Sequence, residues 1–390
     1  MVITMKCEKI FNKIDELNDF YIKIWEDVCN IESPSKYKKG VDAVGRYFAD
    51  MAKERGWLVE IFPQQISGDI VCITMNPDAK GAPISLSGHT DTVHPVGSFG
   101  TPAAKIDGEK IYGPGVTDCK GGIVSGFLAM DALSKCNFDS RPIRMLLQSD
   151  EEVSSMPSGK STIGYICKKA QGSAAFLNLE GHTNLDDQVC IQRKGIITFA
   201  FEVNGIEGHA SNCVTQGSSA ILEAAHKIIE LEKLKDKDGL TCSCGLISGG
   251  TAVNTVPGYC KFMANVRFAT QDQLDWVKEY VQNVADTVYV NGCNTKVTVA
   301  SYRVSMERVD RNLELVEKMN RAFRDNGLSE LKLDKRNSGS DAADVTAAGI
   351  PCVDSIGVGG GGIHSHEEYA YLTSLSESAK RIVAVAVELE

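Results

Sequence analysis

Apolar residues recur at every third or fourth position over the first part of the chain, which is the period of an amphipathic α-helix. Ile10, Ile14 and Ile24 lie on one such face, so a helix is predicted over residues 6–31, and a second helix over residues 41–55. Short continuous apolar runs follow. They predict strands at residues 58–62, 70–75, 83–87 and 143–148, with a buried helix at residues 121–134. Strands that alternate with helices favour an α/β sheet with helices on both faces.

From residue 195 to residue 305 the pattern becomes strand, helix, strand, strand, helix, strand, which is the ferredoxin-like arrangement. The strands are predicted at residues 196–203, 240–247, 258–268 and 296–300, and the helices at residues 218–234 and 271–288. The first pattern then resumes, with helices at residues 313–325 and 342–348, a strand at residues 351–356 and a helix after Leu372. We therefore predict one domain of residues 1–194 and 306–390, with a mixed, largely parallel sheet, and an inserted domain of residues 195–305.

Length and composition narrow the classes of protein. A chain of 390 residues is long enough for two domains. The formal net charge of −10 argues against a nucleic-acid-binding protein that depends on neutralising phosphates. No apolar stretch is long enough to span a membrane, and the N-terminal residues lack the features of a secretion signal. Thirteen scattered cysteines favour reduced thiols in a cytoplasmic protein over a disulfide framework or a structural zinc site.

Five short motifs carry acidic or imidazole side chains just after predicted strands. They are SGHTDTV with His89 and Asp91, YGPGVTDCKGG with Asp118, LLQSDEE with Asp150, Glu151 and Glu152, FLNLEG with Glu180, and GGIHSHEEY with His364, His366 and Glu368. Each motif is weak alone, because a lone histidine is usually hydrogen-bonded, a loop aspartate often forms a turn or caps a helix, and an acidic run is often a solvated loop.

Together, the five motifs indicate a metal site. In an open α/β sheet the ends of the strands converge on the crevice where ligands bind. Imidazole and carboxylate ligands without thiolates are typical of catalytic zinc rather than structural zinc. Ligands arranged around one shared carboxylate suit two metal ions about 3.5 to 4 Å apart. Asp91 lies two residues after His89 on the same face of an extended chain, where it would accept the second ring N–H of that histidine.

These motifs, in this order and together with GHA in the inserted domain, resemble those of the two-zinc amidohydrolases. That family includes glutamate carboxypeptidase, aminoacylase, acetylornithine deacetylase, succinyl-diaminopimelate desuccinylase and tripeptidase. The resemblance extends over nearly the whole chain. It implies a catalytic zinc-binding domain with an inserted lid and dimerisation domain, and hence a homodimer.

The resemblance also implies a role for each matching residue. His89 and Glu180 would bind one zinc ion, Glu152 and His364 the other, and Asp118 both, with a cis peptide bond between Asp118 and Cys119. Glu151 would be the general base, Asp91 would orient His89, and His209 would stabilise the developing oxyanion, often from a partner subunit. Asn254 and Arg267 would hold the substrate. The chain departs from many relatives at Cys119, where aspartate or methionine is common. His366 is a second candidate beside His364, but His364 is favoured because Glu368 then lies at the H-S-x-x-E spacing of the family.

The resemblance therefore implies a zinc-dependent hydrolase that cleaves the amide bond of a small peptide or an N-acyl amino acid with a free carboxylate. Cobalt or manganese are possible alternatives to zinc. A biosynthetic deacylase, such as acetylornithine deacetylase or succinyl-diaminopimelate desuccinylase, and an aminopeptidase such as tripeptidase stay open. A binding protein that keeps the fold without the chemistry is the alternative of another class. No nucleic acid or membrane is expected as a partner.

Overall fold

The structure is a computed structural model that describes residues 7–183, 185–235 and 239–389. It consists of two compact units. The first comprises the chain up to Ile191, Arg308–Lys335 and the chain from Ser340 onwards, and the second comprises Gln192–Glu307 and Arg336–Gly339. The segment predicted as an insertion, residues 195–305, lies within the second unit. Lys6, the first residue of the first predicted helix, lies outside the described residues.

Among the described residues, the predicted helices and strands are present with bounds that differ from the prediction by up to about three residues, and further short elements occur between them. The helices are α1 (Glu8–Cys29), α2 (Lys38–Glu54), α3 (Lys120–Lys135), α4 (Ser161–Ala170), α5 (Ala220–Leu231), α6 (Gln271–Asp286), α7 (Asp310–Asp325), α8 (Ala342–Ala347) and α9 (Thr373–Glu388). The strands are β1 (Leu58–Phe62), β2 (Ile70–Met75), β3 (Ile84–His89), β4 (Lys105–Asp107), β5 (Lys110–Tyr112), β6 (Ile143–Gln148), β7 (Ala175–Asn178), β8 (His182–Thr183), β9 (Gln188–Arg193), β10 (Gly195–Asn204), β11 (Gly208–His209), β12 (Thr241–Gly249), β13 (Thr255–Val256), β14 (Tyr259–Phe268), β15 (Asn294–Arg303), β16 (Lys332–Arg336), β17 (Cys352–Val353), β18 (Gly359–Gly361) and β19 (Tyr369–Tyr371).

The main sheet of the first unit has the strand order β1-β2-β6-β3-β7-β17. The pairs β6–β3, β3–β7 and β7–β17 are parallel, whereas β1 and β2 pair antiparallel, so the sheet is mixed as predicted. Every residue of β2 and β3 is buried. Since successive side chains of a strand point to opposite faces, both faces of the sheet are covered. The predicted α/β class is therefore confirmed.

The parallel strands bring the motif residues to one edge of this sheet. β3 ends at His89, β6 ends two residues before Asp150, and β7 ends two residues before Glu180. Because these three strands are parallel neighbours, their carboxyl ends lie side by side.

Several elements differ from the prediction. The strand expected over residues 351–356 shortens to β17, because the chain leaves the sheet at Asp354, whose side chain accepts hydrogen bonds from Asn178 and Ser340. A second sheet of the first unit, in the order β4-β5-β19-β18-β8, was not predicted. Its strands have only two or three residues each, too few to show a hydrophobic period. Helix α4 was also missed.

The second unit contains a four-stranded antiparallel sheet in the order β12-β14-β10-β15, with α5 and α6. Its β-α-β-β-α-β sequence is the predicted ferredoxin-like arrangement. Buried and partly exposed residues alternate along β14, so one face of the sheet lies on the core while the other is open. β12 and β15 form its two edges.

Two expectations about the whole chain can be compared with the described residues. None of the thirteen cysteines, all of which lie in the described residues, forms a disulfide bond. Among the residues described, none of the helices has the length and apolar character needed to cross a membrane.

Candidate metal centre

Asp118 lies between two pairs of side chains in the first unit. Its Oδ1 is 2.9 Å from Nε2 of His89, and its Oδ2 is 3.1 Å from Nε2 of His364. Each histidine has a second carboxylate nearby: Oε1 of Glu180 is 3.7 Å from Nε2 of His89, and Oε2 of Glu152 is 3.2 Å from Nε2 of His364. The structure thus brings together all five predicted ligands, and each oxygen of Asp118 faces one imidazole–carboxylate pair.

The local backbone explains how these side chains reach one place. His89 is the last residue of β3, while Asp118 precedes α3, and the peptide bond between Asp118 and Cys119 is cis. His364 lies in the loop between β18 and β19 with φ of 65°, a left-handed conformation that is uncommon for a residue other than glycine. His364 therefore comes from a loop of the second sheet, whereas Glu152 and Glu180 follow strands of the main sheet.

Asp91 connects the first histidine to the acidic motif. Its Oδ1 accepts a hydrogen bond from the backbone N–H of Glu151 (3.2 Å) and lies 3.4 Å from Nδ1 of His89, which is also 2.9 Å from the backbone oxygen of Asp91. Its Oδ2 accepts hydrogen bonds from the N–H of Glu152 (3.2 Å) and from the Ser35 hydroxyl (2.7 Å). Asp91 therefore holds both the His89 ring and the backbone of the acidic motif. Ser35 was missed, because it belongs to none of the five motifs.

The three acidic residues after β6 have different surroundings. Asp150 is fully buried and accepts a hydrogen bond from the Thr162 hydroxyl (2.7 Å) at the start of α4. Burial raises the pKa of its carboxyl group above the usual value. Glu151 is also buried. Burial is the main cause that raises the pKa of the neighbouring Glu152, and the negative charge of Glu151 adds to it. The Asp150 carboxylate is thus hydrogen-bonded to α4, whereas the Glu152 carboxylate lies beside His364.

The crowding of carboxylates changes their pKa values. Burial raises the pKa of Glu152 to about 8, and it raises the pKa of Glu180 well above the usual range, with a further contribution from the Asp118 charge. The pKa of Asp118 stays well below its usual value despite burial, because His364 and His89 hydrogen-bond to its carboxylate. The hydrogen bonds to Asp118 and Glu152 raise the pKa of His364 to about 10. Cations stabilise the ionised form of buried carboxylates such as these. Imidazole nitrogens and carboxylate oxygens are the ligand atoms that zinc and similar divalent ions accept.

Two alternative ligands are less suitable. The sulfur of Cys119 lies in a group with His89 and Glu180, but burial raises the pKa of this thiol well above its usual value, whereas the metal-binding form is the thiolate. His366 packs against the Phe99 ring, with centroids 5.3 Å apart, rather than among the carboxylates. The geometry therefore favours His364 over His366.

The remaining predicted residues lie in the second unit. β11, which ends at His209, pairs with β13, and the N–H of Ala210 donates to the backbone oxygen of Asn254 (2.9 Å), so His209 and Asn254 are neighbours near the start of β14. Arg267 is at the other end of β14, and its Nη1 donates to the backbone oxygen of Asn337 (2.8 Å). At about 3.4 Å per residue, the strand separates Arg267 from Tyr259 at its start by about 27 Å. Within one chain, Arg267 is thus remote from the other two.

Comparisons with known proteins place this geometry in context. A sequence model of peptidase family M20/M25/M40 matches residues 85–388. The chain is 25% identical over 360 residues to carboxypeptidase G2 of Pseudomonas sp. (strain RS-16). The alignment covers 91% of this chain and 85% of the relative. It is 26% identical over 293 residues to acetylornithine deacetylase of Buchnera aphidicola subsp. Schizaphis graminum (strain Sg), with coverage of 69% and 73%. Its fold is similar to the crystal structure of aminopeptidase PepT from Bacillus cereus ATCC 10987, with a TM-score of 0.77, 20% identity and coverage of 95% and 98%.

Replacing one histidine of the HSH segment at a time distinguishes the two candidates. We expect His364→Ala to weaken divalent-metal binding by at least tenfold, because it removes the only imidazole that contacts both Asp118 and Glu152 among the described residues. His366→Ala is the matched control and is expected to bind metal like the unmodified chain. Metal titration monitored by calorimetry measures both, and the reverse order of effects would contradict the assignment.

Proposed function

The chain belongs to peptidase family M20/M25/M40, and on that premise we propose that it cleaves the amide bond of a small peptide or an N-acyl amino acid with a free carboxylate, with two zinc ions as cofactors. Membership makes the chain a metallohydrolase that acts on amide bonds, as its relatives do. The observation that carries the proposal of two ions is the position of Asp118, with one oxygen toward each imidazole–carboxylate pair.

Five side chains would hold the ions. His89 and Glu180 would bind one ion, Glu152 and His364 the other, and Asp118 both. Zinc, cobalt and manganese all accept these donors, and zinc is the proposed ion because nitrogen and oxygen ligands are typical of its catalytic sites. Bound divalent ions would make water a nucleophile at neutral pH and polarise the carbonyl group of the scissile amide.

Glu151 is the proposed general base. Its backbone is held by Asp91, beside the ligand Glu152. In the proposed reaction, the Glu151 carboxylate takes a proton from the attacking water and passes it to the amide nitrogen as the carbon–nitrogen bond breaks. The products are a carboxylate and a free amine, so one water molecule accounts for all the atoms.

The second unit is proposed to bind the substrate. The Arg267 guanidinium has five N–H donors, of which one bonds to the Asn337 carbonyl, and the fork of the others matches a carboxylate. His209 is proposed to donate a hydrogen bond to the developing oxyanion, and Asn254 to hold the substrate beside it. The long separation of Arg267 from His209 along β14 supports a site in which these two residues come from different subunits.

We also propose a homodimer formed through the second unit. β12 is an edge strand, and it exposes two large apolar residues, Leu246 and Ile247. An exposed apolar edge favours pairing with another strand, and a second copy of this chain offers the same edge. Thirteen cysteines without a disulfide bond support a reducing compartment, so the cytoplasm is the proposed location.

The substrate class has two alternatives. A biosynthetic deacylase is supported by the similarity to acetylornithine deacetylase, and an aminopeptidase by the fold shared with aminopeptidase PepT. The carboxypeptidase-like reaction is preferred, because carboxypeptidase G2 aligns over more of the chain than acetylornithine deacetylase does and is more similar in sequence than aminopeptidase PepT, at 25% against 20% identity. A panel of N-acyl amino acids, dipeptides and tripeptides, assayed with zinc and after its removal by a chelator, separates the three. Absence of hydrolysis on every substrate with metal present would contradict the proposal.

Glu151→Gln tests the general base. We expect a loss of kcat by a factor of about 10² to 10⁴, because the amide cannot accept the proton. The variant should bind the same amount of metal, since Glu151 is not a proposed ligand. Elemental analysis and steady-state kinetics measure the two quantities, and Glu367→Gln, which changes an exposed glutamate, is the matched control. Ordinary turnover in Glu151→Gln would remove the assignment.

Arg267→Ala tests recognition of the carboxylate. In the unmodified enzyme, a substrate whose terminal carboxylate is replaced by a primary amide should have a KM about 10- to 100-fold higher. This factor is the loss in affinity expected when a hydrogen bond to a charged group is removed. In Arg267→Ala, both substrates should show a similarly high KM. If the variant still distinguishes the carboxylate from the amide, another residue provides the recognition.

Mixed dimers test the origin of His209. His209→Ala and Glu151→Gln are each expected to be nearly inactive. Co-expression of the two chains should restore about a quarter of the unmodified activity, because half of the dimers are mixed and each mixed dimer has one complete site. If His209 acts within its own subunit, no mixed dimer has a complete site and the activity stays low. Sedimentation of the purified chain gives the oligomeric state needed for this comparison.

A further inference from the structure

Glu368 is a buried carboxylate that has no place among the proposed ligands. It is 1% exposed and lies four residues after His364, in the loop that leads to β19. Its Oε1 accepts hydrogen bonds from the backbone N–H groups of Thr117 (2.9 Å) and Asp118 (3.0 Å), and its Oε2 accepts one from the N–H of Gly115 (3.0 Å). A side chain from the His364 loop therefore holds the backbone of the loop that carries Asp118.

The same carboxylate contacts a third loop. Oε2 of Glu368 is 3.2 Å from Nε2 of His94, and because an ionised carboxylate only accepts hydrogen bonds, this imidazole nitrogen is the donor. His94 follows β3, five residues after His89. Glu368 thus joins the segments that carry His89, Asp118 and His364, which are three of the five proposed ligands.

Backbone and hydroxyl groups reinforce this junction. The N–H of Gly113 donates to the backbone oxygen of Glu368 (3.2 Å), and the Thr117 hydroxyl donates to the backbone oxygen of Tyr369 (2.6 Å). The carboxylate itself has four donors around its two oxygens, which is the compensation that a buried charge needs. Asp118 is therefore not held by its own side-chain contacts alone, since its backbone N–H is fixed by a charged acceptor.

We propose that Glu368 is a positioning residue for the metal centre, which sets the direction of the Asp118 carboxylate so that one oxygen faces each ligand pair. This inference rests on the proposed metal-binding function. Glu368 acts through the backbone of Asp118, and neither the metal nor the substrate needs to touch it. Partners of this kind, one shell behind the ligands, typically change metal affinity by about 10- to 100-fold when they are replaced.

The test is Glu368→Gln, which keeps the shape of the side chain but replaces one accepting oxygen by a donating NH₂ group. The NH₂ group would then face a backbone N–H, so two donors would meet where a hydrogen bond had been. We expect cobalt(II) affinity to fall by about 10- to 100-fold, and the visible absorption spectrum of the bound cobalt to change because Asp118 is turned. Circular dichroism of the metal-free protein should show an unchanged fold. Glu367→Gln, at the exposed adjacent position, is the matched control and should leave affinity and spectrum unchanged.

Each outcome decides between the two levels of the proposal. If the unmodified chain binds no divalent metal, the proposed function fails and this inference fails with it. If the unmodified chain binds cobalt, and a folded Glu368→Gln variant binds it with the same affinity and spectrum, only the positioning role is overturned. If Glu368→Gln does not fold, Glu368→Asp takes its place, because it keeps an accepting carboxylate on a shorter stem. A reduced cobalt affinity with a changed spectrum in Glu368→Asp supports the role, and unchanged values overturn it.

Discussion

Three carboxylates and two imidazoles share one corner of the first unit, where His89 is buried and His364 is exposed. The repulsion between the carboxylates is offset only when cations lie among them. The consequence is visible in Glu152 and Glu180, whose pKa values rise because burial and neighbouring charges oppose ionisation. The pKa of Asp118 falls instead, because an imidazole lies beside each of its carboxylate oxygens. Bringing these groups together costs free energy, so the surrounding structure has to hold each of them in place.

Two further carboxylates, which are not among the proposed ligands, hold this arrangement in place. Asp91 accepts hydrogen bonds from the backbone of Glu151 and Glu152, and Glu368 accepts them from the backbone of Gly115, Thr117 and Asp118. Both are buried, and both have their charge compensated by N–H and O–H donors. The loops of the centre are thus fixed by charged acceptors, which restrict the ligands to one geometry more firmly than neutral hydrogen bonds would.

The hydrophobic pattern was a reliable guide to the elements that form the two cores. β1, β2 and β6 have the predicted bounds, and the ferredoxin-like order of the second unit follows the pattern as well. Its success has a physical reason: these elements bury a continuous run or stripe of apolar side chains, and burial imposes the period that the sequence displays. The pattern did not predict β18 or β19, because strands of three residues are stabilised by pairing with neighbours that are distant in the sequence.

The pattern of the amino-acid sequence alone predicts the α/β class and the imidazole and carboxylate side chains of the proposed metal centre. The resemblance of the motifs to those of the two-zinc amidohydrolases implies which five residues are the ligand candidates. Long-range folding decides the contacts around these candidates. His364, the histidine that the resemblance favours, faces the carboxylates, Asp150 bonds to Thr162, and Ser35, His94 and Glu368 support the loops. Local sequence records the chemistry that each side chain offers. Which groups meet depends on long-range pairing of parallel strands and on the path of loops between them, and neither leaves a period in the sequence.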